Sequence, residues 1–343
     1  MRRDPFEDDV HTAMSAVRNG GHNLLTHFYG LEWLTEGDGE ASASIPARVQ
    51  SLDHTGRFAS TPTLMLADLV LGRAARSYFG AGSAGVTSEI SVDLYAPLPA
   101  GSELTCRAEW MMGSGRRAVS AGWIIDDVGT RVARVRGAFV TLKGVARSSP
   151  DSGGGSGDGV HDTPLSTTER LLLDTLLARH AAAPALHGQC EVLLGRQTLH
   201  ALDGDEVELR QEPGPLIRNR TGRVQGGVIA GMLFDACRDG SLHGEPDWDL
   251  STFNLRFVHP GLLEGDDLVV TGRIDQRETE RGVACVSARL DQAPRSGLAL
   301  ANAIVSRFPY GKAVSAVTSA PNDPAGPCRT EDIITTGGPH DHR

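Results

Sequence analysis

The chain has 343 residues, 40% of them hydrophobic and 22% charged, a length that suits two domains of ordinary globular composition. The formal net charge is −10 and only Lys143 and Lys312 are lysines, which argues against nonspecific nucleic-acid binding, since that needs a basic surface. No run of about 18 apolar residues offers a membrane span, the N-terminus lacks the apolar core of a signal peptide, and the five widely spaced cysteines form no Cys-x-x-Cys and no zinc-ligand spacing, so reduced thiols, a cytoplasmic location and no metal are expected.

Residues 8–29 read as an amphipathic helix, and 31–50 as strand and turn broken at Gly37 to Gly39. A helix apolar nearly all round, and therefore buried, follows from Pro62 to about Phe79, with Ser60 or Thr61 as its N-cap. Strand-like runs at 86–96, 103–112, 117–126 and 131–142 then predict an antiparallel meander. The Gly/Ser-rich stretch around Ser148 to Gly159 reads as a flexible linker over 144–163. The order then repeats: a helix at 164–182, a strand region at 191–211, a central helix at 226–240, and strands near 251–259, 267–277, 283–291 and 298–308. The Pro/Gly-rich tail over 312–343 is expected to be disordered. These readings give a first domain at 8–143 and a second at 164–311.

The repeat is also visible in single residues. Asp53-His-Thr-Gly-Arg57 matches Asn219-Arg-Thr-Gly-Arg223 at an offset of 166, and Val119-Ser-Ala121 matches Val286-Ser-Ala288 one residue further out. The second of the first pair runs on through Gln225, Gly226 and Gly227 into an apolar helix. A helix start exposes unpaired N–H groups with partial positive charge, and glycines let a ligand approach them. Such a place suits an anion, or a carbonyl that becomes one during reaction.

A buried helix wrapped by an antiparallel sheet, twice over, resembles the hotdog fold, and the loop–helix stretch resembles the PaaI-like acyl-CoA thioesterases. Their motif places an Asn six residues before His-Gly-Gly and an acid nine residues after the His. The resemblance covers about residues 10–142 and 165–310. It implies an α+β chain of two tandem hotdog domains packed as a pseudo-dimer, with each site composed of residues from both.

Each repeat keeps only half of that motif. Repeat 2 has Asn219, Gln225 in place of the His, Gly226 and Gly227, but Phe234 stands at the acidic position and Asp235 is one residue late. Repeat 1 has Asp68 at the acidic position, but Asp53, Ala59, Ser60 and Thr61 in place of the Asn and His-Gly-Gly. One composite site is therefore expected: Asp68 as general base or nucleophile, Gly226 with Asn219 and Gln225 around the thioester carbonyl, and Gly227 binding substrate. The resemblance implies acyl-CoA as substrate, with coenzyme A arriving as part of it and no other cofactor, and leaves homo-oligomers open. Asp235 is expected to form an ordinary surface pair with Arg238. A non-catalytic acyl-CoA binder and a hotdog enoyl-CoA hydratase or dehydratase stand as alternatives.

Overall fold

The computed structural model describes residues 4–18, 23–80, 83–146, 164–183, 189–200, 206–219, 223–241, 248–259, 267–278, 283–292 and 295–307. Of the flexible linker expected over 144–163, residues 144–146 instead end a strand and 147–163 lie outside the described residues, as does the tail expected over 312–343. All described residues belong to one compact unit.

Repeat 1 opens with α1 (Pro5–Arg18) and α2 (Leu24–Phe28), followed by β1 (Glu32–Gly37) and β2 (Glu40–Pro46). The single helix expected over 8–29 is thus two. Asp38 sits at φ 48° between Gly37 and Gly39, also at positive φ, which is why that stretch turns the chain tightly. The central helix α3 (Ser60–Phe79) follows, then β3 (Ser83–Leu94), β4 (Glu103–Ser114), β5 (Arg117–Asp126) and β6 (Arg131–Ala146).

Repeat 2 carries α4 (Thr167–Ala182), α5 (Cys190–Leu194), β7 (Arg196–His200) and β8 (Glu206–Gln211), then the central helix α6 (Gly226–Ser241). The strands β9 (Trp248–Phe257), β10 (Leu268–Glu278), β11 (Val283–Gln292) and β12 (Arg295–Arg307) complete it. The strand region expected at 191–211 therefore begins with a short helix, α5, the counterpart of α2 at an offset of 166. Among the described residues no helix is long and apolar enough to cross a membrane, and Cys106, Cys190 and Cys285 are free thiols.

Among the described residues the strands form one twelve-stranded sheet in the order β1-β2-β4-β5-β6-β3-β9-β12-β11-β10-β8-β7, joined across the repeats by antiparallel pairing of β3 with β9. The central helices α3 and α6 lie side by side, each against the sheet of its own repeat. This is a double hotdog: two α+β repeats, each wrapping one helix, packed as a pseudo-dimer. The loops before the two helices match bond for bond. Asp53 N–H donates to Arg57 C=O and Asn219 N–H to Arg223 C=O, while Ala59 N–H reaches Ser51 C=O as Gln225 N–H reaches Ile217 C=O.

The Val-Ser-Ala identity at offset 167 is not part of this symmetry. Val119 lies on the outer face of β5, between buried Ala118 and Ser120, whereas Val286 is buried on β11. The strands correspond at 166, and a one-residue slip moves every side chain to the other face.

Small residues let α3 and α6 approach. A Cβ on Gly227 would stand 2.4 Å from Met65 Cα, and one on Gly231 would stand 2.2 Å from Thr61 Oγ1 and 2.6 Å from Thr61 Cα. Gly227→Ala should therefore lower stability by about 1–3 kcal/mol through overpacking against backbone that cannot yield. Urea unfolding measures this; an unchanged midpoint would contradict the close crossing.

Candidate functional site

Asp68 and Gly226, two of the residues expected to act together, meet at the seam of the repeats. Asp68 stands midway along α3 and faces the start of α6, where a Cβ on Gly226 would lie 3.0 Å from Asp68 Oδ2 and 3.7 Å from the Phe257 ring. As the first residues of α6, Gly226 and Gly227 present N–H groups that lack intrahelical acceptors. The carboxylate of one repeat thus meets the helix start of the other.

Asp68 is buried, and among the described residues no cation pairs with it. Thr87 Oγ1, on β3, donates to Asp68 Oδ1 at 2.6 Å. Burial pushes the Asp68 carboxyl up to about 6 from an ordinary 3.8, and the Thr87 bond partly offsets the rise. A carboxyl in this range is ionised at neutral pH while remaining a useful proton acceptor.

Gln225 is buried and accepts from Asn23 Nδ2 at 3.0 Å. Asn219 holds its own loop: Oδ1 accepts from Arg223 N–H at 3.0 Å and Nδ2 donates to Val224 C=O at 3.3 Å. Asp53 does the same in repeat 1, its Oδ1 accepting from Thr55 N–H and Arg57 N–H. The close approach at Met65 accounts for a glycine at 227, whose N–H stays at the helix start.

The pseudo-equivalent place is built differently. β3 bulges after Thr87, which pairs with Phe139, and β9 bulges after Leu250, which pairs with Val305, 166 residues beyond Phe139. Leu250 is therefore the counterpart of Thr87, as Phe234 is of Asp68, and both are buried. The acid and its hydroxyl partner are replaced together.

Where repeat 2 has its glycines, repeat 1 has Ser60 and Thr61, and neither is a cap. The N-cap of α3 is Ala59, with no side-chain bond. Ser60 Oγ donates to Asp235 Oδ2 at 2.8 Å, and Thr61 Oγ1 accepts from Arg196 Nη2 at 2.8 Å. Arg196 Nη1 pairs with Asp235 Oδ2, and Arg238 Nη2 lies 3.4 Å from Asp235 Oδ1. Asp235 does pair with Arg238, but the pairing is buried, not on the surface. Its side chain and that of Arg196 are only 4% and 2% exposed. Burial raises the Asp235 carboxyl, while Arg238, Arg196 and Ser60 oppose the rise.

Sequence reading missed Thr87, Asn23 and Arg196. Aligning the repeats at the offset of 166 sets Asn23 against Gln189 and Arg196 against Gly30 and would have flagged both, whereas Thr87 meets its counterpart Leu250 only through the strand register.

No protein-family model matches the chain, and no curated protein matches its sequence. Solved structures do match its fold. A protein from Lactobacillus plantarum provisionally named an oleoyl thioesterase aligns at a TM-score of 0.51 and 13% identity, over 79% of this chain and 97% of its own. The tesB protein of Mycobacterium avium subsp. paratuberculosis aligns at 0.51 and 12%, over 81% and 96%. A protein from Novosphingobium aromaticivorans provisionally named a thioesterase aligns at 0.51 and 14%, over 80% and 98%. At such identities the likeness concerns architecture, and in architecture the chain is a tandem hotdog protein similar to hotdog-fold thioesterases.

Proposed function

We propose that the chain hydrolyses acyl thioesters, with acyl-CoA as substrate, at one composite site between the repeats. The observation that carries this is the placement of the buried Asp68 carboxylate, without a cation partner among the described residues, against the Gly226 start of α6. The thioester carbonyl sits at that helix start and accepts from the Gly226 N–H, with the Gly227 N–H and the helix dipole adding to the stabilisation as the oxygen gains charge. Asn219 supports this place by ordering the loop before α6, and Gln225 lines it.

Asp68 takes a proton from water as the water oxygen bonds to the carbonyl carbon. Collapse of the tetrahedral intermediate breaks the C–S bond, and the proton held by Asp68 passes to the departing sulfur, releasing the carboxylic acid and a thiol and restoring the Asp68 carboxylate. Direct attack by Asp68 through an anhydride is the alternative, and single turnover in ¹⁸O-water would mark it by label entering the protein. No metal or bound cofactor takes part, and coenzyme A leaves as product. The chain acts in the cytoplasm.

Three features support one site over two: Phe234 and Leu250 replace the acid and its partner, Ser60 and Thr61 replace the glycines, and the Arg196–Asp235 pair fills the place. A hydratase loses ground because Asp68 has a threonine partner, with Gln225 and Ala59 at the motif His positions. Free-thiol release across an acyl-CoA panel tests the proposal. Tight binding without thiol release would favour a non-catalytic binder instead.

Two further outcomes are expected. Turnover should rise with pH through about 6 as Asp68 ionises. Thr87→Val removes a bond to the ionised form, so this acidic limb should move to higher pH. An unmoved limb would separate Thr87 from the reaction.

A further inference from the structure

Three buried polar atoms on and beside α2 have no partner among the described residues: Asn23 Oδ1, Thr26 Oγ1 and His27 Nε2. Asn23 is 8% exposed and Thr26 2%, and a spacing of three puts them on one face of the helix. Buried polar atoms are rarely left unmet, because doing so shifts an equilibrium by roughly tenfold to a hundredfold.

Asn23 is tied to the candidate site. Asn23 Nδ2 donates to Gln225 Oε1 at 3.0 Å, and Gln225 leads directly into Gly226. The bond fixes the Asn23 carboxamide and leaves its oxygen as an acceptor beside the start of α6.

The other repeat supplies an internal control. Gln189 stands 166 residues after Asn23, and its Oε1 meets His180 Nδ1 at 2.7 Å. Ala59, the counterpart of Gln225, offers it no side-chain bond. Among the described residues the unmet carboxamide oxygen at this position therefore belongs to the side that carries Asp68.

We propose that Asn23, held against Gln225, and Thr26, on the same helix face, form a polar subsite that takes a neutral hydrogen-bond donor of the substrate next to the scissile thioester. The inference rests on the hydrolytic reading above. Two parts of a thioester can supply such a donor: an amide N–H of the thiol arm or a hydroxyl of the acyl group. Asn23 Oδ1 accepts from it, and Thr26 Oγ1 accepts or donates according to the partner. A purely aliphatic ester would leave the acceptor unmet on binding, so the subsite discriminates against it.

The test compares full-length wild type, Asn23→Leu and Thr26→Val on matched thioesters. One arm pairs hexanoyl-N-acetylcysteamine with the ethanethiol ester of hexanoate, which lacks the amide. The other pairs 3-hydroxyhexanoyl-CoA with hexanoyl-CoA. In the arm that contains the true donor, wild type should favour the donor-bearing ester in kcat/KM by about tenfold or more. Asn23→Leu should bring that ratio close to one, and Thr26→Val, which keeps the Asn23–Gln225 bond, should lower it in the same arm. Ratios near one in both arms for wild type would overturn the subsite. So would equal losses on both esters of a pair, since these would mean that Asn23 only supports Gln225. Failure of wild type to release thiol from any ester would overturn the hydrolytic reading, and this inference with it. Hydrolysis without discrimination would overturn the inference alone.

Discussion

Asp68→Asn is expected to lower thioester turnover about 10²–10⁴-fold and, in the same protein, to raise stability near pH 8. The two effects share one cause. Asp68 holds its proton more tightly in the folded chain, at about 6, than an unfolded aspartate does at 3.8. Folding therefore favours the protonated form. Stability linked to Asp68 is fully present below about pH 4 and is lost as pH rises through about 6. Above that, the ionised carboxylate costs the fold about 3 kcal/mol relative to a neutral group. Asparagine keeps the shape and an acceptor for Thr87 but carries no charge, so it recovers up to that amount near pH 8 and almost nothing near pH 4. Denaturant unfolding at the two pH values reads the difference, and thiol release reads the chemistry. A variant that lost turnover with no pH-dependent gain in stability would mean that Asp68 is not buried as a charge.

Arg196→Met is expected to show the opposite profile, with a loss of about 3–5 kcal/mol in stability and turnover per folded molecule kept within a few-fold. Removing the guanidinium leaves the Asp235 carboxylate buried with only Ser60 and the more distant Arg238, and leaves Thr61 Oγ1 without its donor. Asp235→Asn should also cost stability, because Arg196 then stays charged and buried without its anion. This is more than a surface pair would give, since exposed pairs contribute about 0–1 kcal/mol. Combining Arg196→Met with Asp235→Leu should recover most of the loss, as apolar residues often replace a buried ion pair without penalty. The decisive comparison is turnover of Asp235→Asn against Asp68→Asn, both corrected for the folded fraction. Loss confined to Asp235→Asn would move the acid to repeat 2, and equal loss in both would mean two working sites.

The sequence by itself determined the repeat, the order of the central helices and the strands that follow them, and the register of one candidate acid. These properties are local. Alternation of apolar residues selects strands, an apolar run selects the buried helix, and the matched turns at Asp53 and Asn219 close on their own backbone. Counting from them placed Asp68 opposite Gly226 without knowledge of the packing. Only the tertiary structure decided what meets these residues. Thr87 is 19 residues from Asp68, and Asn23 is 202 from Gln225, so no spacing along the chain reports either bond. Ser60 and Thr61 have the composition of helix caps, but the neighbouring helix offers Asp235 and β7 offers Arg196, and these partners outcompete the local backbone. The Val119 match failed for a related reason: sequence identity carries no information about which face of a sheet a residue occupies, and a single-residue shift exchanges the faces. What distinguishes the two halves of this pseudo-dimer lies in contacts between the repeats, which exist only once both are folded against each other.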